Sequence, residues 1–122
     1  MPGRPRVLLA DDYPEMLKAV SRLLALDCDV VGTVADGSAL LEAAEKLRPD
    51  VIVLDLNLPN LHGLEVCRQV TQAHQRIKVI VFTAMSEPDV REQAFRVGAS
   101  AFVSKLGGGR ELLSTIKRLC DS

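Results

Sequence analysis

Val51-Ile52-Val53-Leu54 contains no polar position. A strand with one wet face alternates apolar and polar residues. A strand without alternation is covered on both faces, as in a parallel sheet with helices on either side. Val7-Leu8-Leu9-Ala10 and Val79-Ile80-Val81-Phe82 have the same length and character, Ala101-Phe102-Val103 followed by Ser104 is similar, and Val30, Val31 and Val34 mark a further strand over 29–35. Between these runs the apolar spacing changes to the helical period. It does so through Met16, Leu17, Val20, Leu23 and Leu24; then Leu40, Leu41, Ala44 and Leu47; then Leu64, Cys67 and Val70. Val90, Ala94 and Val97 continue the series, and Leu112, Leu113, Ile116 and Leu119 close it.

The punctuation agrees with this division. Asp36-Gly37-Ser38 reads as a turn and helix start, and Pro49 ends the second helix because the residue before a proline disfavours helical backbone. Residues 57–63, with Pro59 and Gly63, read as a loop. Pro88 is tolerated in a first helical turn, and Gly98 suits a helix C-cap. Gly107-Gly108-Gly109 reads as a flexible lead into the last helix. Five strand–helix units fit 122 residues with short connections. Right-handed crossovers then predict an α/β domain spanning 1–122, with a five-stranded parallel sheet doubly wound by five helices. The flavodoxin-like strand order is 2-1-3-4-5, which sets the first strand beside the third.

Bulk properties narrow the function classes. Hydrophobic residues make up 48% of the chain, enough for a true core. The net charge of −1, with both signs well mixed, gives no nucleic-acid footprint. No apolar run approaches the roughly 20 residues that span a bilayer, and there is no signal-peptide pattern. Cys28, Cys67 and Cys120 are odd in number and set among apolar residues, which predicts reduced thiols of a cytoplasmic protein rather than metal ligands. His62 and His74 have no partners at metal spacing and are expected at the surface.

The residues that end the apolar runs carry the chemistry. Asp11 and Asp12 follow the first, Asp55 the third, Thr83 the fourth and Lys105 the fifth. In a parallel sheet these ends share one edge, and ligands of open α/β sheets bind there. Three carboxylates, a hydroxyl and an ammonium suit a divalent cation and a phosphoryl group. Magnesium takes hard oxygen ligands, here Asp12 and Asp55, with Asp11 acting through a bound water. An aspartate can accept a phosphoryl group as a nucleophile. Lys105, Thr83 and the Ala84 N–H can each contact phosphoryl oxygens. Taken singly, each residue has an ordinary role: Asp11 or Asp12 as a helix N-cap, Asp55 as a turn former, Thr83 as a strand residue, Lys105 as a solvated cation. Those roles leave the shared edge unexplained.

Leu9-Ala10-Asp11-Asp12, Leu54-Asp55-Leu56-Asn57-Leu58-Pro59, Gly63, Phe82-Thr83-Ala84, Val97-Gly98-Ala99 and Lys105, in this order and spacing, resemble the receiver domain of two-component response regulators over essentially the whole chain. The resemblance implies that Asp55 takes a phosphoryl group from a histidine kinase, a phosphotransfer protein or a small acyl phosphate. It implies that Asp12, Asp55 and the Asn57 carbonyl ligand magnesium, and that Thr83 and Lys105 contact the phosphoryl group. Thr83 and Phe102 would act as the switch, altering the face formed by the fourth helix, fifth strand and fifth helix. The chain would be no enzyme beyond gaining and losing its own phosphoryl group. It would stand alone or form the N-terminal part of a longer regulator, with a helix-turn-helix DNA-binding domain as one form of effector. Any homodimer would use the last helix or the fourth-helix face.

The chain departs from the family pattern in places. Leu106 stands where most receivers have proline, which predicts a trans Lys105–Leu106 bond. Phe102 replaces the frequent tyrosine, and Met85 and Asn57 are expected to tune the phosphoryl lifetime. Two other readings compete. Asp55-Leu56-Asn57 faintly resembles the Asp-x-Asp motif of haloacid-dehalogenase-type magnesium phosphatases, but Asn57 cannot exchange a proton as their second aspartate does. A flavodoxin-like cofactor binder would need a glycine-rich phosphate loop after the first strand, where this chain has Asp11-Asp12.

Overall fold

A computed structural model describes residues 3–59, 62–84, 87–107 and 109–120. Strands β1 (Arg6–Ala10), β2 (Asp29–Val34), β3 (Val51–Leu54), β4 (Lys78–Thr83) and β5 (Ala101–Ser104) form one sheet. All pairings are parallel and the order is β2-β1-β3-β4-β5, as the sequence predicts. Helices α1 (Pro14–Leu24), α2 (Gly37–Leu47), α3 (Gly63–Ala73), α4 (Pro88–Arg96) and α5 (Gly109–Cys120) cover both faces. Met85 and Gly108 lie outside the described residues.

Pleat alternation divides the core in two. Leu8, Ala10, Ile52, Leu54, Val79 and Val81 face one way, against Leu40 and Ala44 of α2 and Val66, Cys67 and Val70 of α3. Val7, Leu9, Val51, Val53, Ile80, Phe82, Ala101 and Val103 face the other way, against Val20 and Leu24 of α1 and Leu112 and Ile116 of α5. All four residues of β3 are buried, which is why that run carries no polar position.

The helix boundaries have local causes. Asp36 is extended, and its carboxylate accepts from the Ala39 N–H at 2.7 Å, capping α2. Arg48 ends α2 by entering the left-handed region at φ 48°, so proline stops the helix through an unusual conformer of the residue before it. Gly98 takes φ 106° after α4, where the missing Cβ matters. The His62 imidazole accepts from the Leu64 N–H at 3.2 Å and caps α3.

Several expectations need correction. β2 stops at Val34, one residue early, and β4 continues to Thr83. Gly63 belongs to the first turn of α3 rather than the loop. Of the glycine-rich lead, Gly107 closes a 3-10 turn (Lys105–Gly107) and Gly109 already begins α5. Gly109 lies against α1, where a Cβ would meet the movable end of the Leu23 side chain. His74 is not a surface residue: its side chain is 11% exposed and its Nε2 lies 3.2 Å from Glu45.

Two outcomes follow from this packing. A Cβ on Gly63 would lie 2.5 Å from Leu56 Cα and 2.7 Å from its carbonyl oxygen. Backbone cannot yield as a side chain does, so Gly63→Ala is expected to cost about 1–3 kcal/mol of stability in urea unfolding. Burial pushes the Cys67 thiol up to about 11. At pH 8 about a thousandth of it is thiolate, so native protein should alkylate at Cys67 at least a hundredfold more slowly, in order of magnitude, than urea-unfolded protein, as read by peptide mass mapping.

Candidate functional site

Register brings the acidic residues together. Ala10 pairs with Leu54, so the residues that follow them, Asp11 and Asp55, leave adjacent strands side by side. Their backbones are fixed by the sheet: the Asp11 N–H donates to Val34 O at 3.1 Å, and the Asp55 N–H donates to Ala10 O at 2.9 Å. Each also organises the loop it starts. The Asp11 carboxylate accepts from the Tyr13 N–H at 3.0 Å, and that of Asp55 from the Asn57 N–H at 3.2 Å. The N-cap of α1 is Tyr13, with no side-chain cap and Pro14 beginning the helix, so Asp12 is not committed to capping.

Asp11, Asp12 and Asp55 each offer a carboxylate oxygen within 4.8 Å of the others. Asp11 and Asp55 are buried and Asp12 is exposed, so the cluster opens to solvent on one side. Lys105 is the counter-charge. Its ammonium donates to Asp11 Oδ2 at 2.6 Å and to Asp55 Oδ2 at 3.2 Å, and its side chain is only 14% exposed. Burial by itself lowers the lysine pKa. The hydrogen bond to Asp11 and the charges of Asp55 and Asp11 outweigh it, and the net direction is upward. Three carboxylates against one ammonium leave a formal charge of −2. A hard divalent cation would neutralise it, and an all-oxygen donor set of this size fits magnesium.

Alternation decides which face each group occupies. Asp11, Asp55 and Lys105 continue the pleat of Val7 and Leu9, Val51 and Val53, and Ala101 and Val103, on the α1/α5 side. A cleft there, lined by Leu9, Met16, Leu17, Val53 and Phe82, runs up to Asp11 and Asp55. This apolar wall lowers the local dielectric and strengthens each charge interaction. Thr83 continues the pleat of Val79 and Val81 on the opposite side and is fully buried. Phe102 packs on that side too, and the Arg91 guanidinium lies 5.8 Å from its ring centroid and 5.5 Å from that of Phe95.

The structure thus gathers Asp11, Asp12, Asp55 and Lys105 into one contact group, and places Thr83 and Phe102 on the other face of the same edge. Ala84 follows Thr83 and is exposed, as is Asn57 after the β3 edge. No cis peptide occurs among the described residues, so the Lys105–Leu106 bond is trans as expected. Sequence reading singled out neither Arg91 nor the ring of Phe82, which lies 6.0 Å from the Lys105 ammonium. No local pattern marked either, because the contacts depend on the β4–β5 register.

The family described as "Response regulator receiver domain" matches residues 7–117. The chain is 39% identical over 120 residues to protein-glutamate methylesterase/protein-glutamine glutaminase 2 of Koribacter versatilis, covering 95% of this chain and 32% of that one. It is 33% identical to response regulator GacA of Pseudomonas viridiflava, covering 92% and 53%. The chain therefore spans from about a third to about half of these relatives' length. Among solved structures, the signal receiver domain of the Mycobacterium tuberculosis response regulator NarL superposes with a TM-score of 0.90 at 32% identity, over 96% of both chains. The response regulator domain of Thermotoga maritima CheB does so at 0.89 and 29%, over 98% of both.

Removing the counter-charge tests the electrostatics. Lys105→Met leaves Asp11 and Asp55 facing each other without compensation. It should lower stability in metal-free buffer by about 2 kcal/mol, below the cost of a fully buried unpaired charge because the site is open on one side. Millimolar magnesium should restore part of the loss in thermal unfolding.

Proposed function

The chain belongs to the response regulator receiver domain family, and on that premise we propose that Asp55 accepts the phosphoryl group in magnesium-dependent transfer from a histidine kinase or phosphotransfer protein. The observation that carries this is the placement of Asp55. Its carboxylate sits at the carboxyl edge of the central strand, held by the Asn57 N–H and the Lys105 ammonium and within ligand distance of Asp11 and Asp12. An Asp55 oxygen attacks the donor phosphorus. The P–N bond of phosphohistidine, or the P–O bond of an acyl phosphate, breaks, and imidazole or carboxylate leaves.

The chain's groups do the positioning. Asp12, Asp55 and the Asn57 carbonyl would hold the cation, with Asp11 acting through a water. The cation supplies charge neutralisation for the incoming oxygens. Lys105 exchanges its carboxylate partners for a phosphoryl oxygen, and the Thr83 hydroxyl and Ala84 N–H serve the others. Phe102, half-buried beside Arg91 on the α4 side, reports the change to the face of α4, β5 and α5. The aspartyl phosphate biases two states by contacts that exist in only one of them.

The chain's own chemistry is limited to the phosphoryl group on Asp55. The exposed Asn57, which cannot act as an acid, speaks against a magnesium phosphatase. A separate or attached effector reads the altered face, and the fraction of each relative that this chain covers is consistent with attached effectors.

Intact mass after incubation with acetyl phosphate and magnesium tests the reading. The wild type should gain one alkali-labile phosphoryl group. Asp55→Asn should gain none, and neither should wild type in excess chelator. Gain at another residue would refute the assignment.

A further inference from the structure

Lys105 stands on a weak support. It opens the 3-10 turn Lys105–Gly107, in which no residue is buried, and the next side chain, Leu106, is 81% exposed. Among the described residues no buried side chain of that turn anchors the lysine backbone, and the Leu106 N–H donation to Ser104 Oγ at 3.1 Å is an exposed tie. The ammonium ends a flexible four-carbon stem, and Asp11 and Asp55 are its hydrogen-bond partners. On the function proposed above, both partners have other roles during transfer: Asp55 is the nucleophile and Asp11 would serve the cation through a water. The lysine then loses the groups that hold it at the moment it must meet a phosphoryl oxygen.

One neighbour stays unchanged through that exchange. Phe82 lies on β4 beside β5, paired with Val103 two residues before Lys105. It shares the pleat of Asp55 and Lys105 and is 5% exposed, fixed in the core that holds Leu9, Val53 and Ile80. Its ring centroid is 6.0 Å from the Lys105 ammonium. An aromatic face attracts a cation through its quadrupole, and the attraction grows where water is excluded. The ring is neutral, so neither a bound cation nor a phosphoryl group competes for it.

We propose that Phe82 is a positioning residue for phosphoryl transfer, its ring face retaining the Lys105 ammonium at the site when Asp11 and Asp55 are drawn to other partners. Leucine, methionine or valine would fill the same core position but would lack the quadrupole. The aromatic ring thus supplies a restraint that the exposed turn after Lys105 does not.

The test separates electronics from packing. Phe82 is replaced by mono-, di- and trifluorophenylalanine, which keep the ring shape and progressively weaken the quadrupole, and by β-cyclohexylalanine, which keeps the bulk without it. Three quantities are measured on the full chain: the phosphorylation rate with acetyl phosphate and magnesium, the melting temperature, and the proton shifts of the Lys105 Cε methylene in metal-free protein. The rate should fall stepwise with fluorination, about two- to fivefold by the trifluoro form, and furthest with cyclohexylalanine, at unchanged melting temperature. The Lys105 methylene should be shifted upfield by the ring in the wild type and return to its ordinary position with cyclohexylalanine. A wild type that is phosphorylated while the series stays flat would overturn the positioning role alone, as would an unshifted Lys105 methylene. A wild type that gains no phosphoryl group would overturn the receiver chemistry, and this role with it.

Discussion

The Lys105 ammonium between Asp11 and Asp55 is the contact on which the functional edge depends. Two carboxylates about 4 Å apart repel by about 4 kcal/mol at an effective dielectric of 20, and a third carboxylate adds to that. A protein with total stability of about 5–15 kcal/mol cannot carry such a term uncompensated. One lysine, reaching across from the far strand, offsets most of it. The compensation is incomplete by the residue count, and the remaining negative charge would favour a divalent cation at the edge. The same lysine therefore steadies the metal-free edge and, on the proposed function, is the group that meets a phosphoryl oxygen.

The sheet makes that contact through two independent constraints. Register sets Ala10 opposite Leu54, and the N–H groups of Asp11 and Asp55 are tied to neighbouring strands, so the two aspartates cannot drift apart. Pleat alternation then sends Asp11, Asp55, Phe82 and Lys105 toward α1 and α5, while Thr83 and Phe102 point toward α4. A one-residue slip of any strand would exchange these faces. On the proposed function, the group that captures phosphate lies on one side of the edge and the group that reports it on the other. Thr83, whose hydroxyl would serve a phosphoryl oxygen, and Phe102 then link the pocket to the opposite face of the sheet.

Where sequence and structure diverge, a tertiary contact overrides a local rule. Three consecutive glycines suggest a flexible lead, yet Gly109 already belongs to α5 and lies against Leu23 of α1. Proline at 49 signals the end of α2 correctly, but the left-handed turn of Arg48 cannot be anticipated from the dipeptide. His74 looks like a loop residue, and only the packing of α2 on α3 brings Glu45 to it and covers its ring. Phe82 reads as one more apolar strand residue, because nothing along the chain reveals which cation stands over it.

The sequence by itself determined the fold class, the strand order expected of it, and the gathering of Asp11, Asp12, Asp55 and Lys105. The reason is that continuous apolar runs demand a doubly covered parallel sheet, and such a sheet has one carboxyl edge. The tertiary structure alone decided the pairing within that edge: Lys105 bonded to Asp11 and Asp55, Thr83 buried on the opposite pleat, Arg91 beside Phe102 and the Phe82 ring beneath the ammonium. Those facts depend on register and side-chain direction. Both are set by contacts between segments tens of residues apart, which local periodicity does not encode.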